Sequence, residues 1–364
     1  MNPFDHRLAN LRRSMKNLDV DALIIGYSEN ILYLTGFSGS EGWLVVSKSQ
    51  AYLIVDSRYY EQAALEVNCT GLNHVQLKSP LEQCLLSLFR DHRFKTIGFE
   101  EDHLNYLNYK KLQDALRKEG MEFGLTPCKN AVEALRAIKD TEEIAKITES
   151  ARLSDIAFNQ LLTLVRPGIT EHDLAWQLER HLRENGSENL PFQVIVCSGP
   201  QTSMPHGRPG ARKLISGDPV LIDFGARFSG YCSDMTRTLF VGKIDDIYKK
   251  AYDIVLAAQL TATACIKAGI SGREADAYAR KIIEEAGYAD LFSHGLGHGL
   301  GLEVHESPRL GVNSTDILAE NMVFTIEPGI YIQGLGGIRI EDTVVLQNNE
   351  ILSLNKSEKS LICV

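Results

Sequence analysis

The chain has 364 residues, 44% of them hydrophobic and 23% charged, which describes a soluble globular protein with room for two domains of ordinary size. A formal charge of -9 without a long basic tract argues against a nucleic-acid surface or an anionic membrane as partner. No apolar run approaches the roughly 18 residues of a membrane helix, and the opening MNPFDHRLANLRRSM lacks a signal-peptide core, so a cytoplasmic location is expected. Seven scattered cysteines without a CxxC pair suggest neither a disulfide framework nor a thiolate zinc site; they read as reduced and mostly buried.

In chain order, residues Arg7 to Leu18 carry apolar positions at helical spacing, and VDALIIG, GWLVVS and AYLIVD read as strands. IGFEEDHLNY supplies a further strand and helix start, which is α/β grammar. GLTPCKNAVEALRAIKDTEEI then passes into a long charged amphipathic helix reaching about Leu164, and a domain boundary is expected near Pro127, dividing 1–127 from 128–364.

The second part contains an internal repeat. RPGITEHDLAWQLERHLRENG (166–186) lines up with KAGISGREADAYARKIIEEAG (267–287), with helix caps expected at Thr170 and Ser271. Further on, PVLIDFGARFSGYCSDMTRTLF lines up with MVFTIEPGIYIQGLGGIRIEDTVVL, each a strand, a glycine-containing turn and a returning strand. Two patterns in the same order at nearly the same offset point to a duplicated α+β half, with a site between the halves.

That repeat superposes Asp223 on Glu327 and Asp234 on Glu341. If each hairpin closes around its turn, Asp223 faces Asp234 and Glu327 faces Glu341. Four half-buried carboxylates must take up protons, find cations or bind metal. Arg339 and Arg237 lie close enough in sequence to offset part of the charge. With an imidazole donor, the set is hard and oxygen-rich, which suits Mn²⁺, Co²⁺ or Zn²⁺ and fits a dinuclear centre.

The donor should come from HGLGHGLGLEVHES, residues 294–307, where three histidines stand among four glycines. The glycines disfavour a helix there. In an extended segment His294 and His298 share a face, whereas His305 points away unless the strand bends or bulges.

Together, IDFGARFSGYCSDMTRT, HGLGHGLGLEVHE, FTIEPGIY, GIRIEDTVVL and MPHGRPG resemble the ordered motifs of the pita-bread metallopeptidases, the group of aminopeptidase P, prolidase, methionine aminopeptidase and creatinase. ILYLTGFSGSEGWLVV and VDSRYYEQA resemble the amino-terminal domain of its aminopeptidase P, prolidase and creatinase branch. The resemblance implies an α+β fold: a C-terminal pita-bread catalytic domain with a smaller α/β, creatinase N-terminal-like (ribonuclease H-like) domain before it. It also implies two divalent metal ions, manganese first and cobalt or zinc next. Asp234 and Glu341 would bridge them, Asp223 would complete one site, and His298 with Glu327 the other.

By the same resemblance His206, His294 and His305 surround the substrate together with Arg339, and His206, His305 and Glu327 carry catalytic roles. The implied activity is hydrolysis of the Xaa-Pro bond at the N-terminus of proline-containing peptides by a metal-activated hydroxide, in a homodimer. A dipeptidase is the alternative. Creatinase, which works without metal, and a non-catalytic member are less favoured because all five ligands are intact, and methionine aminopeptidase because it generally lacks the first domain.

Overall fold

The computed structural model describes residues 2–67, 69–120 and 124–364, and these fall into two compact units, one ending at Arg136 and one beginning at Ala137. In the first unit the helix Pro3–Leu18 starts where the Asn2 side chain accepts the Phe4 N–H and Pro3 supplies a preset φ. A six-stranded mixed sheet follows, with Ala22–Ile25 near its centre, antiparallel to Trp43–Ser47 and parallel to Thr96–Glu100. Ala22, Ile24, Val45, Phe89, Ile97 and Leu116 form its core.

The unit runs beyond the expected break at Pro127. Gly124–Cys128 pairs in parallel with Thr96–Glu100 as the last strand of the sheet. The short helix Glu133–Arg136 is tied in by polar bonds: Asn30 donates to both Glu100 and Glu133, and Arg136 donates to the Asn30 side-chain oxygen Oδ1 at 2.7 Å. The long helix therefore begins later than periodicity suggests, at Thr141, where Asp140 and Glu143 form a capping box.

The second unit is a duplicated α+β arrangement. Helices Thr141–Leu162 and Glu171–Glu184 pack with a four-stranded sheet built on Pro219–Phe224 and Met235–Phe240, sharing a core of Phe158, Leu178, Ile222 and Leu239. Helices Asp246–Cys265 and Gly272–Glu285 pack with a five-stranded sheet built on Val323–Ile326 and Asp342–Gln347, around Val255, Ile283, Phe324 and Val344. Thr170 and Ser271 cap equivalent helices, accepting N–H bonds from Asp173 and Glu274. In each half a short two-stranded ribbon is inserted between the paired strands, Arg227–Phe228 with Tyr231–Cys232 and Gly329–Ile332 with Gly336–Arg339.

The first hairpin corrects the expected register. Ser229 and Gly230 both take positive φ, 49° and 83°, so the turn centres on them and Asp223 pairs with Thr236. Asp234 thus precedes the returning strand without facing Asp223. In the second half Ile326 pairs with Asp342, which leaves Glu327 and Glu341 as the next opposed residues, as expected. All seven cysteines are free thiols, with Cys128, Cys197 and Cys232 buried. Among the described residues no helix is long and apolar enough to cross a membrane.

Candidate active site

The paired strands of both halves deliver their acids to one cavity of about 900 Å³. Asp223, Asp234, Glu327, Glu341, His206, His294, His298, His305 and Arg339 all line it. The expected site residues are therefore in one place, although they come from segments far apart in sequence.

Asp234 and Glu341 each stand immediately before an outgoing strand, at Met235 and Asp342. They are cross-braced. The Thr236 hydroxyl donates to Glu341 Oε2 at 2.5 Å, while Thr343 Oγ1 accepts the Asp234 N–H at 2.9 Å and donates to the Asp234 carbonyl at 2.8 Å. Each threonine stands two residues after one acid and holds the other. Arg237 does not approach Asp234; it turns away to pair with buried Asp342 at 2.7 Å and to donate to the carbonyl of Glu341.

The acids repel one another in a place with little water. Burial, then Glu341, Asp223 and Glu327, pushes Asp234 well above the usual carboxylate range. Burial followed by Glu327 and Asp223 does the same to Glu341. Burial pushes Glu327 up to about 7, and Asp223 is also raised although Arg339 donates to it at 2.5 Å. The Oδ1 atoms of Asp223 and Asp234 are buried without a hydrogen-bond partner among the described residues. Such groups call for a cation or a proton.

His298 fits a metal. Its Nδ1 lies 3.1 Å from the Gly299 carbonyl, which can only accept, so Nδ1 holds the hydrogen and Nε2 presents a lone pair. Nε2 faces Asp234 at 3.7 Å and Glu327 at 3.5 Å, too far for strong hydrogen bonds. Asp234, His298 and Glu341 offer ligand atoms all within 4.8 Å of one another. Burial, then His305, lowers the His298 pKa to about 3, so the ring is neutral. An oxygen-rich set with one imidazole and two unsatisfied buried oxygens suits two hard-to-borderline divalent ions.

The glycines of HGLGHGLGLEVHES let backbones close on one another. A Cβ at Gly297 would stand 2.1 Å from the Thr325 carbonyl oxygen, and one at Gly299 would stand 2.1 Å from that of Ser307. The register shifts between His298 and Gly299, and this bulge brings His305 back beside His298, with ring centroids 4.4 Å apart and an edge-on arrangement. His305 is solvent-exposed on the cavity wall, and partial desolvation, then Arg309, lowers its pKa.

His294 belongs to a hydrogen-bond chain. Its Nδ1 donates to the Gly295 carbonyl at 2.8 Å, so Nε2 accepts from the Tyr331 hydroxyl at 2.9 Å. Tyr331 accepts in turn from Arg339 at 2.9 Å, and Arg339 also reaches Asp223, Thr236 and the Pro205 carbonyl. Burial, followed by Arg339, lowers the His294 pKa to about 4. Sequence reasoning did not single out Tyr331, Thr236 or Thr343. The signals were present: Tyr331 closes FTIEPGIY, and a threonine follows two residues after Asp234 and after Glu341 alike.

Residues 145–348 match the model of metallopeptidase family M24, and residues 7–138 match the creatinase/prolidase N-terminal domain. The chain is 41% identical over 98% of its length to an uncharacterized peptidase, YqhT, of Bacillus subtilis, covering 99% of that protein. Among solved structures, an Xaa-Pro dipeptidase from Bacillus anthracis superposes with a TM-score of 0.95 at 37% identity, covering 99% of both chains. An X-Pro aminopeptidase from Thermotoga maritima superposes at 0.88 with 36% identity, over 97% of this chain and 100% of that one. With its duplicated catalytic half and its preceding mixed-sheet domain, the chain belongs to metallopeptidase family M24, in the pita-bread branch that carries a creatinase/prolidase N-terminal domain.

Proposed function

We propose that the chain removes the N-terminal residue from peptides whose second residue is proline, as an Xaa-Pro aminopeptidase working with two divalent metal ions, Mn²⁺ by preference. The observation that carries this reading is the meeting of four buried ligand-type side chains and the partly buried Glu327 with three further imidazoles in one cavity.

Asp223, Asp234, His298, Glu327 and Glu341 would hold the ions. Bound there, a divalent pair supplies Lewis acidity and a means of making water nucleophilic near neutral pH. The remaining work falls to the protein. Glu327, whose Oε1 lies 3.5 Å from His298 Nε2 in the same cavity, would accept a proton from attacking water and return it to the proline nitrogen as that nitrogen departs. Neutral His305 can donate its ring N–H to the carbonyl oxygen as negative charge develops there. His206 lines the same cavity as a substrate-side and catalytic group, and His294 forms wall with its Nε2 already committed to Tyr331. Arg339 holds Asp223 and Tyr331 in place.

An Xaa-Pro bond has no N–H and a fixed ring, so recognition must come from its carbonyl and from shape. The cavity volume of about 900 Å³ lies near the top of the range for a drug-sized ligand and exceeds what a dipeptide fills. That supports substrates longer than two residues. A dipeptidase is the second reading, favoured by the name of the Bacillus anthracis relative and by Arg208 and Arg309 in the cavity wall, where a cation could hold the free carboxylate of a dipeptide. The test is hydrolysis of Ala-Pro against Ala-Pro-Ala by the Mn²⁺-loaded protein. A higher kcat/KM for Ala-Pro-Ala supports the aminopeptidase, and cleavage of Ala-Pro alone overturns it in favour of the dipeptidase.

A further inference from the structure

His206 is exposed, and among the described residues no hydrogen bond fixes its ring. Its position is therefore set by the backbone that carries it. That backbone is a loop whose two ends meet at one buried carboxylate. Glu171, the first residue of the helix Glu171–Glu184 and 0% exposed, accepts from the Ser198 N–H at 2.7 Å and the Ser198 hydroxyl at 2.6 Å through Oε1. Its Oε2 accepts from the Gly210 N–H at 3.0 Å. The Gln201 side-chain amide lies 3.1 and 3.0 Å from the two oxygens. Residues 198 to 210 thus leave and return to the same side chain, as in a compact surface loop with its ends clasped.

The other half of the repeat sharpens the point. Thr170 and Ser271 make equivalent caps and equivalent isolated bridges, to Lys213 and to Ile317. The next residue is Glu171 in one half and Gly272 in the other, and their N–H groups bond to the carbonyls of Arg212 and Asp316. At Gly272 a Cβ would stand 2.0 Å from the Arg309 carbonyl oxygen, so that half has no room for a side chain there. Its adjoining segment is held by its own Asp316 and Ser314, which bond to the backbone of Arg309. The buried carboxylate belongs to the half that carries His206.

We propose that Glu171 is a positioning residue that closes the loop 198–210 and thereby fixes His206 over the acidic cavity. It acts through His206 without touching the ligand set. Its kinetic part rests on the Xaa-Pro peptidase reading; its structural part does not.

The experiment uses the full-length protein with Mn²⁺ bound and the variants Glu171→Gln, His206→Ala and the double variant. A glutamine keeps the shape but turns an N–H toward one of the converging donors. In Glu171→Gln, hydrogen exchange over 198–210 should accelerate, and kcat/KM for Ala-Pro-Ala should fall about 10–100-fold, the scale of a small misplacement of a reacting group. In the His206→Ala background the same change should cost less than about 2-fold, since coupled residues are not additive. Faster exchange with unchanged turnover, or a full additive loss in the double variant, would overturn the proposal. If Glu171→Gln does not fold, Ser198→Ala removes one donor, keeps the carboxylate and carries the same cycle with a smaller expected loss. If the wild type cleaves no Xaa-Pro peptide, the peptidase reading fails on its own; exchange over 198–210 that is unchanged in Glu171→Gln then overturns the loop closure, and accelerated exchange supports it.

Discussion

The Thr236 hydroxyl donates to Glu341 across the two halves of the catalytic unit at 2.5 Å, and the same oxygen accepts from Arg339 Nε at 3.0 Å. One small side chain therefore orients an acid from the other half and the arginine that holds Asp223. Thr236→Val keeps the shape and removes both bonds. It should weaken Mn²⁺ binding about 10–100-fold, the usual effect of losing a group that orients a metal ligand, with the fold retained. Calorimetric titration checks this; unchanged affinity would deny Thr236 its part.

Asp234 is expected to cost the metal-free protein stability. It is buried against Glu341, Asp223 and Glu327, and its Oδ1 has no hydrogen-bond partner among the described residues. Asp234→Asn removes one negative charge from that set, so at pH 8 the metal-free variant should melt higher than the metal-free wild type by about 2–4 °C for each 1 kcal/mol of repulsion relieved. It should also no longer gain stability from Mn²⁺. Thermal melts with and without Mn²⁺ read both effects, and a lower metal-free midpoint would show that the charge is already compensated.

Tyr331→Phe cuts the chain from His294 to Arg339. It leaves His294 Nε2 without its donor, a loss of about 1–3 kcal/mol for a buried polar atom. The expected outcome is unchanged Mn²⁺ content with kcat/KM reduced about 10–100-fold. Metal analysis beside steady-state kinetics checks it, and loss of metal together with activity would place Tyr331 in ligand support instead.

Metal and pH should be linked with a definite sign. In the metal-free protein Glu327 is raised to about 7 from the ordinary 4.5, and Asp234 and Glu341 are raised too. For a raised carboxyl, the stabilisation it brings is present below the unfolded pKa and is lost as pH rises through the folded one. Bound metal displaces these protons, while His298, lowered to about 3, does not compete across the range. The rise in melting temperature produced by Mn²⁺ should accordingly be larger at pH 7.5 than at pH 5.5. An equal or smaller rise at pH 7.5 would contradict the assigned ligand protonation.

The acids were legible in the sequence because a carboxylate inside VLIDFG or VFTIEPG interrupts a run suited to burial, and because the repeat brings both pairs into correspondence. The facing of Asp223 was not, because the register depends on which two residues take positive φ, and Ser229 rather than a glycine is one of them. The side of His305 was open for a similar reason: period-two alternation fails at the bulge after His298. Arg237 shows the same limit, since proximity in sequence to Asp234 did not reveal that its strand position turns it toward Asp342. The end of the first unit was hidden because Arg136 joins it through a bond to Asn30, a contact between residues far apart in the chain.

We infer that the acidic cavity works as a metal centre for Xaa-Pro hydrolysis. It is tested most directly by stripping the protein with a chelator and measuring Ala-Pro-Ala cleavage while Mn²⁺ is returned in known amounts. The expected result is no cleavage by the metal-free protein and activity that rises to a plateau at two ions per chain. Full activity in verified metal-free protein, or no cleavage of any Xaa-Pro peptide at saturating Mn²⁺, would contradict it.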